Sequence, residues 1–278
     1  MTIAVIGMGL IGGSMARTIK LHTAHTVLGC DIREETLHQA EVMGAMDAVF
    51  TEDRLEECQM VFVALYPGQI IQWVESHADR FAPGTVVIDC GGVKQVICDR
   101  LFPLSAGQAW HFIGGHPMAG RERSGFQYAR DDLFDHASMI LTPRPEEDPQ
   151  RLVHLKNFFL DLGFRRVQFT DPRTHDEMIA YTSQMAHIVS SAYVKSPQAQ
   201  RHRGFSAGSF ADMTRVARLN EGMWTELFFA NRDALLPEID SMMQRLQEFR
   251  NALAEKDEHE MYRLLREGRE IKEALEEN

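Results

Sequence analysis

Long hydrophobic runs are missing from this chain, and so is any excess of positive charge. The longest uncharged apolar stretches, near residues 60–66 and 85–88, fall far short of the roughly 20 residues a membrane-spanning helix needs. No basic segment precedes the first strand-like run, so no signal peptide is read and a cytoplasmic location is expected. Basic residues number 29 against 40 acidic ones, a net charge of −11. That balance argues against nucleic acid or an anionic membrane surface as partner. An anionic small molecule would instead need locally placed arginines. Cysteine is scarce. Cys30, Cys58, Cys90 and Cys98 show no C-x-x-C spacing, and three lie in or beside apolar runs. Buried, reduced thiols are expected, with neither a metal site nor a disulfide framework. No internal repeat or low-complexity segment is present.

A chain of 278 residues suits two domains. Up to about residue 170, short β-branched runs alternate with helical stretches. Strands are expected at 3–6, 26–30, 60–64, 85–89, 111–114, 138–141 and 166–169. The first four are continuously apolar, as parallel strands covered on both faces must be. This alternation predicts an α/β, doubly wound parallel sheet over 1–170. The strand pattern then stops. Asp171-Pro172 supplies an N-cap and a first-turn proline, and one long, largely uncharged helix is expected to run to Pro197. Further on, Ile239, Met242, Met243, Leu246, Phe249 and Leu253 recur at helical spacing, followed by Met261, Leu264, Leu265 and Ile271. An all-helical domain over 171–278 is therefore expected, partly buried against a second subunit.

The segment Gly7-Met8-Gly9-Leu10-Ile11-Gly12 follows a strand and opens a helix. Gly7 permits the tight turn, Gly9 lets the backbone approach a pyrophosphate, and Gly12 allows close helix–strand packing. The helix start at Leu10 and Ile11 presents free N–H groups and a partial positive charge to phosphate. A second strand delivers Asp31, 19 residues after Gly12, the spacing expected for a carboxylate on the adenosine ribose. Asp31 would repel a 2′-phosphate, and Arg33 would soften that repulsion, so NAD is expected over NADP.

A dinucleotide fold names a cofactor and leaves the substrate open. His116 lies between glycines and a proline, on an expected loop after the fifth long strand, and suits proton transfer beside a nicotinamide. From about residue 3 to 253 the chain resembles the prephenate and arogenate dehydrogenase family (TyrA). The resemblance rests on Gly7–Gly12 followed by Gly13-Ser14 and on Asp89-Cys90-Gly91-Gly92-Val93-Lys94, similar to the family's D-x-x-S-V-K element. It rests also on Gly114-Gly115-His116-Pro117-Met118-Ala119-Gly120, on Asp212-Met213-Thr214-Arg215, and on Trp224 with Asn231. It implies that His116 engages the substrate's ring hydroxyl and that Arg215 binds a carboxylate. It implies also that His187, last in Ser183-Gln184-Met185-Ala186-His187, faces the ring carboxylate, with Gln184 beside it where the family has histidine. Gly92, on the cofactor side, replaces the family's serine, whose hydroxyl helps place the histidine and nicotinamide. Ser209 and Ala211 also depart from the family pattern, and Arg201, His202, Arg203 and Arg218 are candidate sources of compensating charge.

The implied reaction is oxidative decarboxylation of prephenate to 4-hydroxyphenylpyruvate in tyrosine biosynthesis, by a homodimer joined through its helical domain. Arogenate is the alternative substrate. No ACT or chorismate mutase domain is expected, so any tyrosine feedback would act at the active site. A hydroxyacid or pyrroline-carboxylate reductase remains open, but Lys195 lacks the glycine-rich context a catalytic lysine there would need. A non-catalytic NAD-binding regulator remains open on the strength of Gly92. With Asp31 in place, kcat/KM should favour NAD over NADP; steady-state kinetics with both cofactors, in which NADP proved better, would remove Asp31 from its assigned role.

Overall fold

The computed structural model describes residues 1–120 and 123–276. One sheet of eight strands organises the first part of the chain. Its order is β3-β2-β1-β4-β5-β6-β7-β8, comprising β1 (Thr2–Ile6), β2 (Thr26–Cys30), β3 (Ala48–Val49), β4 (Met60–Val63), β5 (Val86–Asp89), β6 (His111–Pro117), β7 (Ser138–Thr142) and β8 (Arg166–Phe169). The first six run parallel, and the order reverses between β1 and β4, where loops from adjacent strands diverge and open a crevice. The sheet is not wholly parallel. β7 pairs antiparallel to β6, with His116 opposite Ile140, and β8 then pairs parallel to β7.

All seven expected strands are present. The two-residue β3 is additional, too short to give a periodic signal, and held by Leu28 opposite Ala48. β6 runs three residues further than expected. His116 therefore sits within a strand, not on a loop, because the β7 ladder extends to Pro117.

Helices α1 (Leu10–His22), α2 (Glu34–Val42), α3 (Pro67–His77), α4 (Gln95–Ser105) and α5 (Pro149–Asp161) cross between strands. They cover both faces and create two apolar layers. One holds Ile3, Val5, Met15, Phe62, Phe134 and Phe159; the other holds Ile6, Val61, Val63, Leu101, Trp110 and Phe112. Within the first, Phe159 packs edge-on against Phe62 and Phe164. Cys58, Cys90 and Cys98 are buried and Cys30 is half-buried, all as free thiols. Burial pushes the Cys58 and Cys98 thiols up to about 11 and about 12, which keeps them protonated and unreactive.

After β8, Asp171 caps α6 (Pro172–Ile179) by accepting the Thr174 N–H at 2.9 Å. The expected long helix is interrupted by a π-helical turn at Ala180–Gln184 and resumes as α7 (Met185–Tyr193). It is less buried than its composition suggested, since Met178, Tyr181 and Tyr193 are exposed. Two further helices, α8 (Gly208–Thr214) and α9 (Glu221–Ala230), complete a compact unit that ends at Asn231. Packing thus divides the chain later than the change in composition near residue 170. The reason is that α6 lies on α4 and α9 on α3, where Glu226 accepts the Gly68 N–H at 2.7 Å.

The second unit is a helical hairpin of α10 (Arg232–Glu255) and α11 (Glu258–Glu276). Lys256 turns the chain with a positive φ of 56°, and Asp257 caps α11 by accepting the Glu260 N–H at 2.9 Å. Pairs such as Arg263 with Glu260 and Glu267 lace its outer surface. No helix among the described residues is long and apolar enough to cross a membrane.

Phe159→Ala should cost about 3–5 kcal/mol, the usual penalty for emptying a buried aromatic site. Urea unfolding should show a lowered midpoint at unchanged slope.

Candidate active site

Strands β1, β4, β5 and β6 are parallel, so their carboxyl ends share one edge of the sheet, and Gly7, Gly9, Gly12, Gly92 and His116 lie at or just beyond those ends. Gly7, at the end of β1, has φ of +90°, and a Cβ on it would lie 2.5 Å from the Ala64 carbonyl. A Cβ on Gly12 would lie 1.9 Å from the Gly7 carbonyl. Neither position admits a side chain. A Cβ on Gly9, by contrast, would meet nothing within 4 Å. The backbone there borders open space at the start of α1. Unlike α5, α6 and α9, whose N-caps accept backbone N–H groups through Asp148, Asp171 and Asn220, α1 has no side-chain cap. Its first turn, from Leu10 and Ile11, carries no acid. Neither its N-cap nor its first turn supplies an anion for its N–H groups, and this cradle fits pyrophosphate.

Asp31, at the end of β2, is tied to the same loop. Its Oδ2 accepts the Met8 N–H at 3.1 Å, and its Oδ1 accepts the Arg33 N–H at 3.0 Å, with Arg33 Nε at 3.5 Å. A carboxylate has about four lone-pair directions, so Asp31 retains capacity for ribose hydroxyls. Gly7, Gly9, Gly12 and Asp31 together fit a dinucleotide.

The other half of the site is built around buried charge. Asp89 and Lys94, both 0% exposed, form an ion pair. Asp89 also accepts the Gly91 N–H at 2.9 Å and the Gly115 N–H at 3.0 Å. That last bond fixes the backbone next to His116. Asp176, on α6, accepts the N–H groups of Lys94 and Gln95 at 2.7 and 2.8 Å. Its Oδ1 also lies 2.7 Å from His175 Nδ1, and His175 Nε2 lies 2.9 Å from His116 Nδ1. His116 is half-buried at the end of this chain. Burial, reinforced by His175 and Lys94, lowers His116 well below its ordinary value. His175 is lowered too, by burial first, against the opposing pull of Asp176.

The helical candidates divide. Gln184, expected beside the substrate, is only 1% exposed. Its Oε1 accepts the Asn231 side-chain N–H at 2.8 Å, while Asn231 also donates to the Asp176 carbonyl at 2.9 Å. Gln184 therefore ties α6 and α7 to the end of α9. His187 donates from Nδ1 to the Ser183 carbonyl at 2.9 Å, and its ring lies 3.9 Å from that of Trp224. Arg215 is exposed in a short turn that packs against α7, the helix bearing His187. Gly92 is half-buried, and a Cβ there would come 3.3 Å from Leu227 Cδ2. Arg203 and Arg218 are exposed. Arg201 and His202 line a shallow cavity of about 470 Å³ with Tyr193, Phe205 and Phe210, which none of the groups around His116 borders. No set of three metal-ligating side chains converges among the described residues.

Residues 15–168 match the family described as prephenate dehydrogenase, nucleotide-binding domain, and residues 171–267 match its dimerization domain. The chain belongs to the prephenate dehydrogenase family. Among its relatives, prephenate dehydrogenase of Bacillus subtilis is 29% identical over 99% of this chain and 76% of its own. Two solved structures align over 99% of this chain. Prephenate dehydrogenase from A. aeolicus, in complex with hydroxyphenyl propionate and NAD+, is 25% identical over 98% of its length, with a TM-score of 0.87. Synechocystis arogenate dehydrogenase is 26% identical over 100% of its length, with a TM-score of 0.83. The family's members thus differ in substrate while sharing this fold.

His175 and Asp176 were not singled out in the sequence. They are an unremarked pair in the first turns of a helix, and their partner His116 lies 59 residues away. Both histidines favour the neutral form when folded. Unfolded histidine titrates near 6.5, so below about pH 6.5 the unfolded chain takes up protons that these rings refuse, and stability falls as pH falls. The urea midpoint should drop between about pH 7.5 and pH 5.5, and His116→Asn should make that drop smaller. An equal drop in the variant would mean that His116 contributes nothing to it.

Proposed function

We propose that this family member is an NAD-dependent prephenate dehydrogenase, converting prephenate to 4-hydroxyphenylpyruvate and CO2. The observation that carries the reading is His116: a neutral imidazole, held from behind, at the same sheet edge as the Gly7–Gly12 cradle. NAD, when bound, supplies the hydride acceptor. Gly9 and the start of α1 would hold its pyrophosphate, and Asp31 its ribose. A neutral ring at His116 is the correct form for a general base, because it can accept the proton of the ring hydroxyl as C4 is oxidised. Burial keeps it neutral at physiological pH.

Arg215 suits the substrate's carboxylate, since guanidinium pairs with carboxylate through two parallel hydrogen bonds and cannot lose its charge. His187, on the adjoining helix α7, would be a second contact, for the ring carboxylate. Gln184 acts through Asn231 rather than on the substrate. Substrate recognition belongs to residues 171–278 and cofactor binding to 1–170. Residues 171–231 pack on α3 and α4, the helices that follow β4 and β5, which supports joining the two roles in one site. A homodimer is supported by the dimerization-domain match and by exposed Met243, Leu246, Leu253, Leu265 and Ile271 on α10 and α11.

His116→Asn should lower kcat by about 10²–10⁴-fold, the usual loss on removing a general base, while Arg215→Ala should mainly raise KM. NADH absorbance followed with prephenate, and separately with arogenate, measures both. Near-normal turnover by His116→Asn would overturn the assignment, and faster turnover of arogenate would change the substrate.

A further inference from the structure

Behind His116 stand two groups that no step above uses. Asp176 is a carboxylate, with both oxygens committed: Oδ1 to the Lys94 N–H and His175, Oδ2 to the Gln95 N–H. A carboxylate only accepts, so the His175 nitrogen facing it, Nδ1, must carry the hydrogen. In a neutral ring the opposite nitrogen, Nε2, is then a lone pair. His116 Nδ1, at 2.9 Å from that lone pair, must therefore donate. The remaining nitrogen of His116, Nε2, is left unprotonated. Three side chains thus determine one tautomer.

We propose that His175, anchored by Asp176, is a positioning residue that fixes His116 with Nε2 as the base and shares the proton it takes up. This rests on the reading of His116 as the general base. When the substrate hydroxyl breaks its O–H bond, the electron pair stays on oxygen and the proton bonds to His116 Nε2. The Nδ1–H of the resulting imidazolium then points at His175 Nε2. Movement of that hydrogen across the 2.9 Å gap places the positive charge on His175, directly beside the Asp176 carboxylate. The other charged groups facing the pair are Lys94 and Asp89. These two are joined in their own ion pair, which leaves Asp176 as the anion that answers the relay. The same device explains how the site tolerates Gly92, where the resemblance places a hydroxyl that helps hold the histidine. Here the hold comes from α6.

The test reads the tautomer directly. Nitrogen-15 NMR of histidine-labelled wild type at about pH 8, where both rings are neutral, should show His116 protonated at Nδ1 and bare at Nε2, with His116→Asn assigning the signal. His175→Gln keeps an acceptor for Nδ1–H and should keep this tautomer, with kcat within about 10-fold of wild type. His175→Phe removes the acceptor. It should mix the tautomers and lower kcat on the order of 100-fold with KM within about twofold. A wild-type His116 protonated at Nε2 overturns the proposal. So does an equal loss in Gln and Phe variants without a change in tautomer, which marks a merely structural role. If the chain turns over neither prephenate nor arogenate, the functional reading fails separately, and the tautomer still decides this one.

Discussion

An ion pair wholly out of water joins the parts of this site. Removing both charges from solvent costs several kcal/mol each, and the pair persists only if its remaining hydrogen-bonding capacity is met. Asp89 meets it by gripping two backbone N–H groups, of Gly91 and Gly115, as well as Lys94. Lys94 in turn offers its own backbone N–H to Asp176. The consequence is mechanical. The end of β5, the start of α4, the strand carrying His116 and the helix carrying His175 are indexed to one another through this cluster. Loss of either charge would leave the other stranded, a penalty of about 3–5 kcal/mol in comparable cases.

The two halves of the site are held by opposite means. On the cofactor side the protein withholds side chains: Gly7 and Gly12 allow contacts no Cβ could make, and Gly9 leaves a space. Backbone N–H groups would do the work there, so a chain with a net charge of −11 needs no cluster of lysines for it. Around His116 the protein supplies side chains in chains of hydrogen bonds. Asn231 and Gln184 belong to these, and their place is to lock three helices together at the end of α9.

Much of the fold was legible because strands buried on both faces are written as unbroken apolar runs, and 3–6, 60–63 and 86–88 are such runs. The glycine spacing was legible because each glycine answers a steric demand that recurs wherever a strand turns into a helix around phosphate. The reversal of β7 was not legible, because strand direction leaves no trace in alternation. The π-helical turn at Ala180–Gln184 also left none, since it changes hydrogen-bond register and not composition. Gln184 is the last residue of this turn and is buried. The His116–His175 contact was hidden for a further reason. A hydrogen bond across 59 residues depends on a tertiary arrangement, and neither histidine sits in a pattern that announces the other. The short β3 was not expected at all and β6 was expected too short, because both are set by ladders with neighbouring strands.

Gly92 began as a missing hydroxyl, but its neighbour gives it a different meaning. Leu227 Cδ2 would lie 3.3 Å from any Cβ placed there, so the methyl groups of α9 occupy the approach to this loop. What faces this loop is hydrocarbon. In dielectric terms the wall becomes less able to respond to charge, and a nascent cation nearby would find fewer orientable groups to screen it. The polarity that His116 meets through His175 comes instead from the Asp176 carboxylate, fixed by the Lys94 and Gln95 backbone N–H groups. Its field is already in place before any proton moves.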